Sequence, residues 1–152
     1  MCIRDRYNGS PKLKNNIVVD TVSGGKDTNP LWTSEISNVD FKQAMINSLR
    51  DAQYLSNDSD GSEYSLSAVL IEVKQPLLGA SMTVTTHISY SLIENTSKKE
   101  IFYEKIESPY TAKWNDAFLG VERLRLANEG SARTNIKSLI DALNELEIEK
   151  NN

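Results

Sequence analysis

The residues that could carry out chemistry are few, and His87 is the only histidine in the chain. General-base catalysis needs a partner that orients the imidazole, and a zinc ion needs several ligands. The side chains two positions away, which share a strand face with His87, belong to Thr85 and Ser89 and supply neither a carboxylate nor a second imidazole. We therefore interpret His87 as a solvated strand histidine and assign no catalytic or metal-binding residue.

Two short segments are similar to phosphate- or calcium-binding loops but lack the residues that such loops require. The segment 24–27, GGKD, follows a predicted strand, yet aspartate follows the lysine and the G-x-x-x-x-G-K-[ST] pattern is absent. The segment 57–63, NDSDGSE, would need carboxylates where Ser56 and Ser67 stand. Both segments are predicted to be turns, and we expect no cofactor.

The composition is that of an ordinary globular domain. The chain has 152 residues, of which 39% are hydrophobic and 25% are charged, so it is long enough to enclose a core. Its net charge of −4 argues against non-specific nucleic-acid binding and against a polybasic membrane patch. No apolar run approaches the roughly 20 residues of a transmembrane helix.

The N-terminal residues are interpreted as foreign to the protein. MCIRDR is what a transposon mosaic end used in sequencing-library preparation encodes in one frame, so we treat residues 1–15 as an assembly scar and a disordered lead-in. The folded domain is then 16–149, with 150–152 as a tail. Cys2, the only cysteine, is not native on this interpretation, which excludes a disulfide framework and a cysteine nucleophile. We expect the natural N-terminus, with any signal peptide or lipid-anchor signal, to be missing.

The strands are predicted from alternation and from β-branched residues. Apolar side chains alternate with Thr, Ser and His over 80–93, the clearest strand, which indicates a sheet with one buried and one open face. Pro109 is expected to end the last strand. The four predicted strands are 16–22, 64–73, 80–93 and 100–108.

Two helices complete the predicted order β-α-β-β-β-α. The first spans about Val39 to Leu55 behind a weak capping box, and the second is one long C-terminal helix over 120–149 with Asn115 as its candidate N-cap. Gly130 lies inside the long helix and indicates a kink or a close backbone contact. We therefore predict an α+β fold with a four-stranded, mainly antiparallel sheet, both helices on one face and a Thr/Ser-rich open face.

The middle of the long helix is a candidate partner-binding surface. Two ion pairs are predicted along it, Glu122–Arg125 at i,i+3 and Glu129–Arg133 at i,i+4. These residues form either a self-neutralised solvated face or a patch that docks a partner. The candidate contact residues here are Arg123, Arg125, Asn128, Glu129 and Arg133.

Two predicted loops add further candidate contacts. Trp32, in the loop 27–36, either fills an edge of the core or marks an interface. Leu77 and Leu78 lie at a predicted hairpin tip, where they either tuck under the long helix or form an apolar patch for a lipid or a protein. Each of these features indicates binding and not catalysis.

The C-terminal third resembles a family of envelope proteins. The segments that carry the resemblance are PYTA at 109–112, DAF at 116–118, Arg123, ANEGSAR at 127–133 and NI at 135–136. Together with the order of elements they are similar to the lipopolysaccharide-assembly and transport-auxiliary outer-membrane lipoproteins of Gram-negative bacteria. The resemblance covers 17–148 as topology and is specific over 110–136. It implies a small sheet flanked by two helices behind a lipidated cysteine, which this chain lacks and whose absence we attribute to truncation.

We therefore expect a non-enzymatic periplasmic protein, anchored to the outer membrane through the missing N-terminus and acting as an accessory or assembly component. Its partner would be an envelope protein or a lipid, with no role for nucleic acid. The alternative is a soluble domain that binds a small ligand between sheet and helices, which requires an enclosed apolar cavity of about 300 Å³ or more. An enzyme would need a carboxylate pair in a cleft, and no spacing indicates one.

Overall fold

A computed structural model describes residues 9–24, 37–57, 61–74, 81–116 and 119–146 of the chain. Within these ranges the elements follow the predicted order. The strands are β1 (Ile17–Ser23), β2 (Tyr64–Lys74), β3 (Met82–Glu94) and β4 (Lys99–Ala112). Helix α1 (Asn38–Asp51) connects β1 to β2, and helix α2 (Gly120–Glu145) follows β4.

The four strands form one sheet in the order β1-β2-β3-β4. β2, β3 and β4 make an antiparallel meander, and the turn at 95–98 between β3 and β4 places Lys98 at a φ of 59°. β1 pairs with β2 in parallel, because the α1 crossover returns the chain to the end of the sheet from which it started. The predicted α+β fold is confirmed, and the strand order is now defined.

The core lies between the sheet and the two helices, which cover the same face. The side chains of Val84, Thr86, Ile88, Tyr90 and Leu92 of β3 are fully buried on the core face, while the alternate positions 83, 85, 87, 89 and 91 carry the Thr, Ser and His residues of the open face. Burial of large apolar side chains on one face supplies the main stabilisation of this layer pair. The helices contribute Phe41, Met45 and Leu49 from α1 and Ala132, Ile136, Leu139 and Leu143 from α2.

Helix α1 begins where the capping box predicts and ends earlier than expected. The side chain of Ser37 accepts a hydrogen bond from the backbone N–H of Asp40 at 3.1 Å, which satisfies one of the free donors of the first turn. The helix ends at Asp51 and not at Leu55, because Gln53 adopts a φ of 65° that no helix continues.

Helix α2 begins at Gly120, as predicted, but the candidate N-cap is wrong. Asn115 does not cap it, because 113–116 forms a separate turn in which Asp116 Oδ2 accepts from the backbone N–H of Lys113 at 2.7 Å. The N-cap is Leu119, which makes no side-chain hydrogen bond. The 26 residues of α2 span about 39 Å at 1.5 Å per residue. No helix in the described ranges is long and apolar enough to cross a bilayer.

The prediction that Pro109 ends strand β4 is wrong. The strand continues to Ala112, with Pro109 opposite Thr85 of β3. β4 is an edge strand, and edge strands tolerate proline where its missing N–H has no ladder partner. The extra residues bring Tyr110 and Ala112 alongside α2.

Candidate functional site

The five candidate contact residues on α2 differ in exposure. Asn128 is only 2% exposed, so in the isolated chain it is not available to a partner. Arg123 is partly buried. Arg125, Glu129 and Arg133 are exposed. The three candidates on loops, Trp32, Leu77 and Leu78, lie outside the described residues.

Arg125 bridges the exposed polar surface of α2. Its guanidinium contacts Glu122 Oε2 at 2.8 Å and Glu129 Oε1 at 3.2 Å. The hydrogen bond to Glu122, together with the charges of Glu122 and Glu129, raises the pKa of Arg125. The predicted Glu129–Arg133 pair is not formed, because Glu129 pairs with the arginine one turn before it. Arg133 consequently has no hydrogen-bonded or ionic partner among the described residues.

A pocket of about 290 Å³ opens where the end of β4 meets α2. The helix supplies residues at steps of three and four, which form a single stripe facing the strand. We call this cavity the β4–α2 pocket. Its lining residues are Tyr110 and Ala112 from β4, Asp116 from the turn, and Leu126, Glu129, Gly130 and Arg133 from α2.

One wall of the β4–α2 pocket depends on a glycine. The ring of Tyr110 packs directly against Gly130, and a Cβ atom at that position would lie 2.6 Å from Tyr110 Cγ, too close for any real contact. This is the close contact that the mid-helix glycine indicated, and it explains why a residue with poor helix propensity lies there. Because Tyr110 is also partly exposed, its ring forms part of the accessible wall.

The charged groups of the β4–α2 pocket are not equally available. Asp116 already accepts the backbone N–H of Lys113, and Glu129 is paired with Arg125. Arg133 has no such partner in the described part of the chain. Its guanidinium is therefore the group best placed to meet an incoming anion.

Two large apolar residues project from the connection between β4 and α2. Trp114 is 67% exposed and Leu119 is 62% exposed. Trp114 lies two residues along the chain from both Ala112 and Asp116, which line the β4–α2 pocket, although Trp114 itself is not in the lining. Trp114 is not among the predicted contact residues, although a loop tryptophan that fills a core edge or marks an interface is as plausible there as at Trp32.

The side of α2 that faces the sheet carries a buried polar network. Ser131 Oγ accepts from the backbone N–H of Thr86 at 3.1 Å and donates to the carbonyl oxygen of Ser108 at 2.5 Å. All three residues are at most 2% exposed. A single helix hydroxyl thus bridges the backbones of β3 and β4, where an unpaired buried group would be costly.

Asn135 extends this network one turn along α2. Its Nδ2 donates to the carbonyl oxygen of Ile106 at 2.9 Å, and its Oδ1 accepts from the hydroxyl of Tyr90 at 2.6 Å. Burial raises the pKa of Tyr90, since the charged phenolate is poorly solvated there. The predicted apolar stripe of the long helix does not include Ser131 and Asn135, although their spacing from Ala127 places them on the buried side.

The open face of the sheet carries His87 between two carboxylates from neighbouring strands. The register places Glu72 of β2 and Glu107 of β4 opposite His87. His87 Nδ1 lies 3.9 Å from Glu107 Oε2, beyond hydrogen-bond distance. Spacing along one strand could not show these neighbours. Within the described residues no group of three or more His, Cys, Asp or Glu could hold a metal ion.

Solved structures match this chain, although no family model and no curated protein sequence does. A protein from Caulobacter crescentus CB15, provisionally named a lipoprotein, matches with 11% identity and a TM-score of 0.59 over 88% of this chain and 90% of that chain. A Xanthomonas campestris protein of the family DUF330 matches with 8% identity and a TM-score of 0.61 over 87% and 86%. PelC of Paraburkholderia phytofirmans, a dodecamer, matches with 16% identity and a TM-score of 0.57 over 90% and 93%.

At these identities the similarity shows the fold alone. The chain has a lipoprotein-like α+β fold, and the match extends over nearly all of it and of the solved structures. This agrees with the broader part of the resemblance seen in the sequence.

Proposed function

We propose that this chain is the folded domain of a lipid-anchored protein of the Gram-negative envelope, acting in the periplasm as an accessory or assembly component and not as an enzyme. The observation that carries the proposal is the lipoprotein-like fold over 88% of the chain. The motifs between Tyr110 and Ile136, which resemble the lipopolysaccharide-assembly and transport-auxiliary lipoproteins, add support from the sequence.

The distribution of polar groups favours binding over catalysis. Two of the buried polar side chains of α2, those of Ser131 and Asn135, are engaged with the backbones of β3 and β4 and hold the helix on the sheet. His87 and Glu107 are too far apart for a hydrogen bond that would orient the imidazole. Exposed aromatic and charged residues, among them Tyr110, Glu129 and Arg133, line the β4–α2 pocket, as in a contact surface.

A ligand site between sheet and helices receives less support. In the described residues that space is filled by packed side chains, among them Ile17, Met45 and Ile88, each fully buried. The 290 Å³ pocket lies at the edge of the sheet and carries three charged residues. We therefore prefer an envelope accessory protein to a soluble small-ligand carrier.

The test begins with the complete open reading frame upstream of Tyr7. We expect it to encode an apolar leader that ends in small residues and a cysteine, and its product to incorporate a clickable palmitate analogue in a Gram-negative host and to fractionate with the outer membrane. Replacing that cysteine by alanine is the matched control and should abolish the label. An unlabelled product that remains in the cytoplasmic fraction would refute the proposal.

A further inference from the structure

We propose that the β4–α2 pocket captures an acidic side chain on an exposed segment of a partner protein, with Arg133 as its ion-pair partner. This inference rests on the proposed function, because it names the surface through which an accessory protein would act. It goes further in assigning the site, its key residue and the chemistry of the partner.

Charge is the first argument. Of the three charged residues that line the pocket, Glu129 is held by Arg125 and Asp116 is engaged by the backbone of Lys113. Arg133 has no partner among the residues that the structure describes. An arginine matches a carboxylate in two parallel hydrogen bonds, and such charge-assisted bonds are stronger than neutral ones.

The surroundings of Arg133 are the second argument. The pocket lining includes Tyr110 and Leu126, and Trp114, which lies two residues along the chain from the lining residues Ala112 and Asp116, is 67% exposed. Trp, Tyr and Arg are the residue types most enriched at the energetic centres of protein interfaces. The pocket therefore fits an acidic residue flanked by an apolar one better than an isolated ion.

The size and the local charge favour a protein segment over a lipid surface. A volume of about 290 Å³ holds a few side chains and lies at the lower end of the range for small-molecule sites. Arg133 is the one cation in the described lining of the pocket, whereas anionic lipid surfaces are bound by clusters of several basic residues. A single carboxylate, in contrast, needs only the one cation that Arg133 offers.

The experiment uses the complete gene product in its native bacterium, with Trp114 replaced by p-benzoylphenylalanine as a photocrosslinking probe. Irradiation should give a crosslink to a protein segment that contains Asp or Glu next to a large apolar residue, identified by mass spectrometry. Arg133→Glu should reduce the crosslink about tenfold or more, the loss expected for one charge-assisted pair.

Lys137→Glu is the matched control. Lys137 is an exposed cation one helical turn further along α2, it does not line the pocket, and it undergoes the same change of charge. The control should leave the crosslink unchanged. Replacing the partner's acidic residue by arginine should restore crosslinking in the Arg133→Glu protein. Both variants should keep the far-UV circular dichroism and Tm of the parent, since neither residue has a described partner.

Three results would overturn the proposal: a crosslink that Arg133→Glu does not weaken, a crosslinked segment without an acidic residue, or crosslinking to phospholipid in place of protein. Absence of any crosslink at Trp114 would also count against it. Fractionation of the same cells distinguishes the two proposals. A protein that stays with the outer membrane without an Arg133-dependent crosslink would leave the envelope assignment intact and remove the pocket assignment alone.

Discussion

The ring of Tyr110 lies so close to Gly130 that no side chain fits between the end of β4 and helix α2. Gly130→Ala should therefore destabilise the protein by about 1–3 kcal/mol through overpacking, although alanine is the better helix former by about 1 kcal/mol. In a Tyr110→Ala background the same change should be stabilising, because the obstructing ring is gone. Urea unfolding of the four proteins measures both effects.

Gly120→Ala serves as the control for this comparison. A Cβ atom there would meet Arg123 Nη2 at 3.5 Å and Met82 Cε at 3.7 Å, which are ordinary contacts. We expect no overpacking cost at Gly120. A Gly130→Ala protein that is more stable than the parent would show that Tyr110 moves aside freely and that the pocket wall is not fixed.

Removal of the Asn135 side chain should be among the most damaging single changes. Asn135→Ala leaves the hydroxyl of Tyr90 and the carbonyl of Ile106 without their buried partner, at a cost of about 2–4 kcal/mol. Thr134→Ala is the neighbouring control, because Thr134 Oγ1 is exposed and bonds only Gly130 O within the helix. Its expected cost is about 0.5 kcal/mol or less. Equal losses at the two positions would contradict the network.

The buried tyrosines predict a loss of stability at high pH. Burial raises the pKa of Tyr90, and burial followed by the charges of Glu94 and Glu63 raises that of Tyr64. A raised folded pKa contributes stability that is complete below the unfolded value near 10 and is lost as the pH rises above it. Above pH 10 the free energy of unfolding should fall by about 1.4 kcal/mol per pH unit for each tyrosine held neutral.

Tyr90→Phe tests this assignment. It should lower stability at pH 7 through the lost hydrogen bond to Asn135, yet make the decline above pH 10 shallower. Tyr103→Phe, at a tyrosine that is 59% exposed, is the control for the substitution itself. Urea unfolding at several pH values between 7 and 11.5 gives both slopes, and parallel curves for parent and Tyr90→Phe would exclude Tyr90 as the titrating group.

The cap of α1 gives an independent test of local structure. Ser37→Ala removes the acceptor of the Asp40 backbone N–H and the hydroxyl that donates to Asp40 Oδ2 at 2.8 Å. The expected cost is about 1 kcal/mol. Ser37→Asp supplies another capping oxygen and should be nearly neutral if Asp40 tolerates the added charge. An unchanged Tm in Ser37→Ala would mean that α1 is held by its core face alone.

The fold was predictable from the sequence because it rests on periodicity. The alternation over Met82–Glu94 and the stripe formed by Ile136, Leu139 and Leu143 each identify a core face without tertiary information. What periodicity could not supply was the N-cap of α2, because Asp116 closes a separate turn before the helix. Local hydrogen bonding by short acidic side chains competes with helix capping, and the sequence alone does not decide between them.

The candidate site was predictable only in part, for a similar reason. The sequence identifies Arg133 and Glu129 as polar residues of the long helix. The predicted ion pair between them is wrong, because Glu129 pairs with Arg125. The pocket itself depends on β4 running past Pro109, so that Tyr110 reaches Gly130. A proline in an edge strand and a proline that ends a strand look alike until the strand order is known.

We expect β1 to join the sheet last during folding, because it pairs with β2 in parallel. Short connections join β2, β3 and β4, whereas β1 must close a loop that contains all of α1. In the described part of the chain β1 pairs with one strand, β2, and with Leu55 through a single bridge at Ile17, and its register with β2 shifts between Val19 and Val22. Its amide hydrogens should exchange before those of β3, through a local opening that leaves the meander and α2 intact. Under tension applied at the N-terminus, β1 should detach first. The distance between the N-terminus and the β4–α2 pocket would then increase while the pocket stays folded.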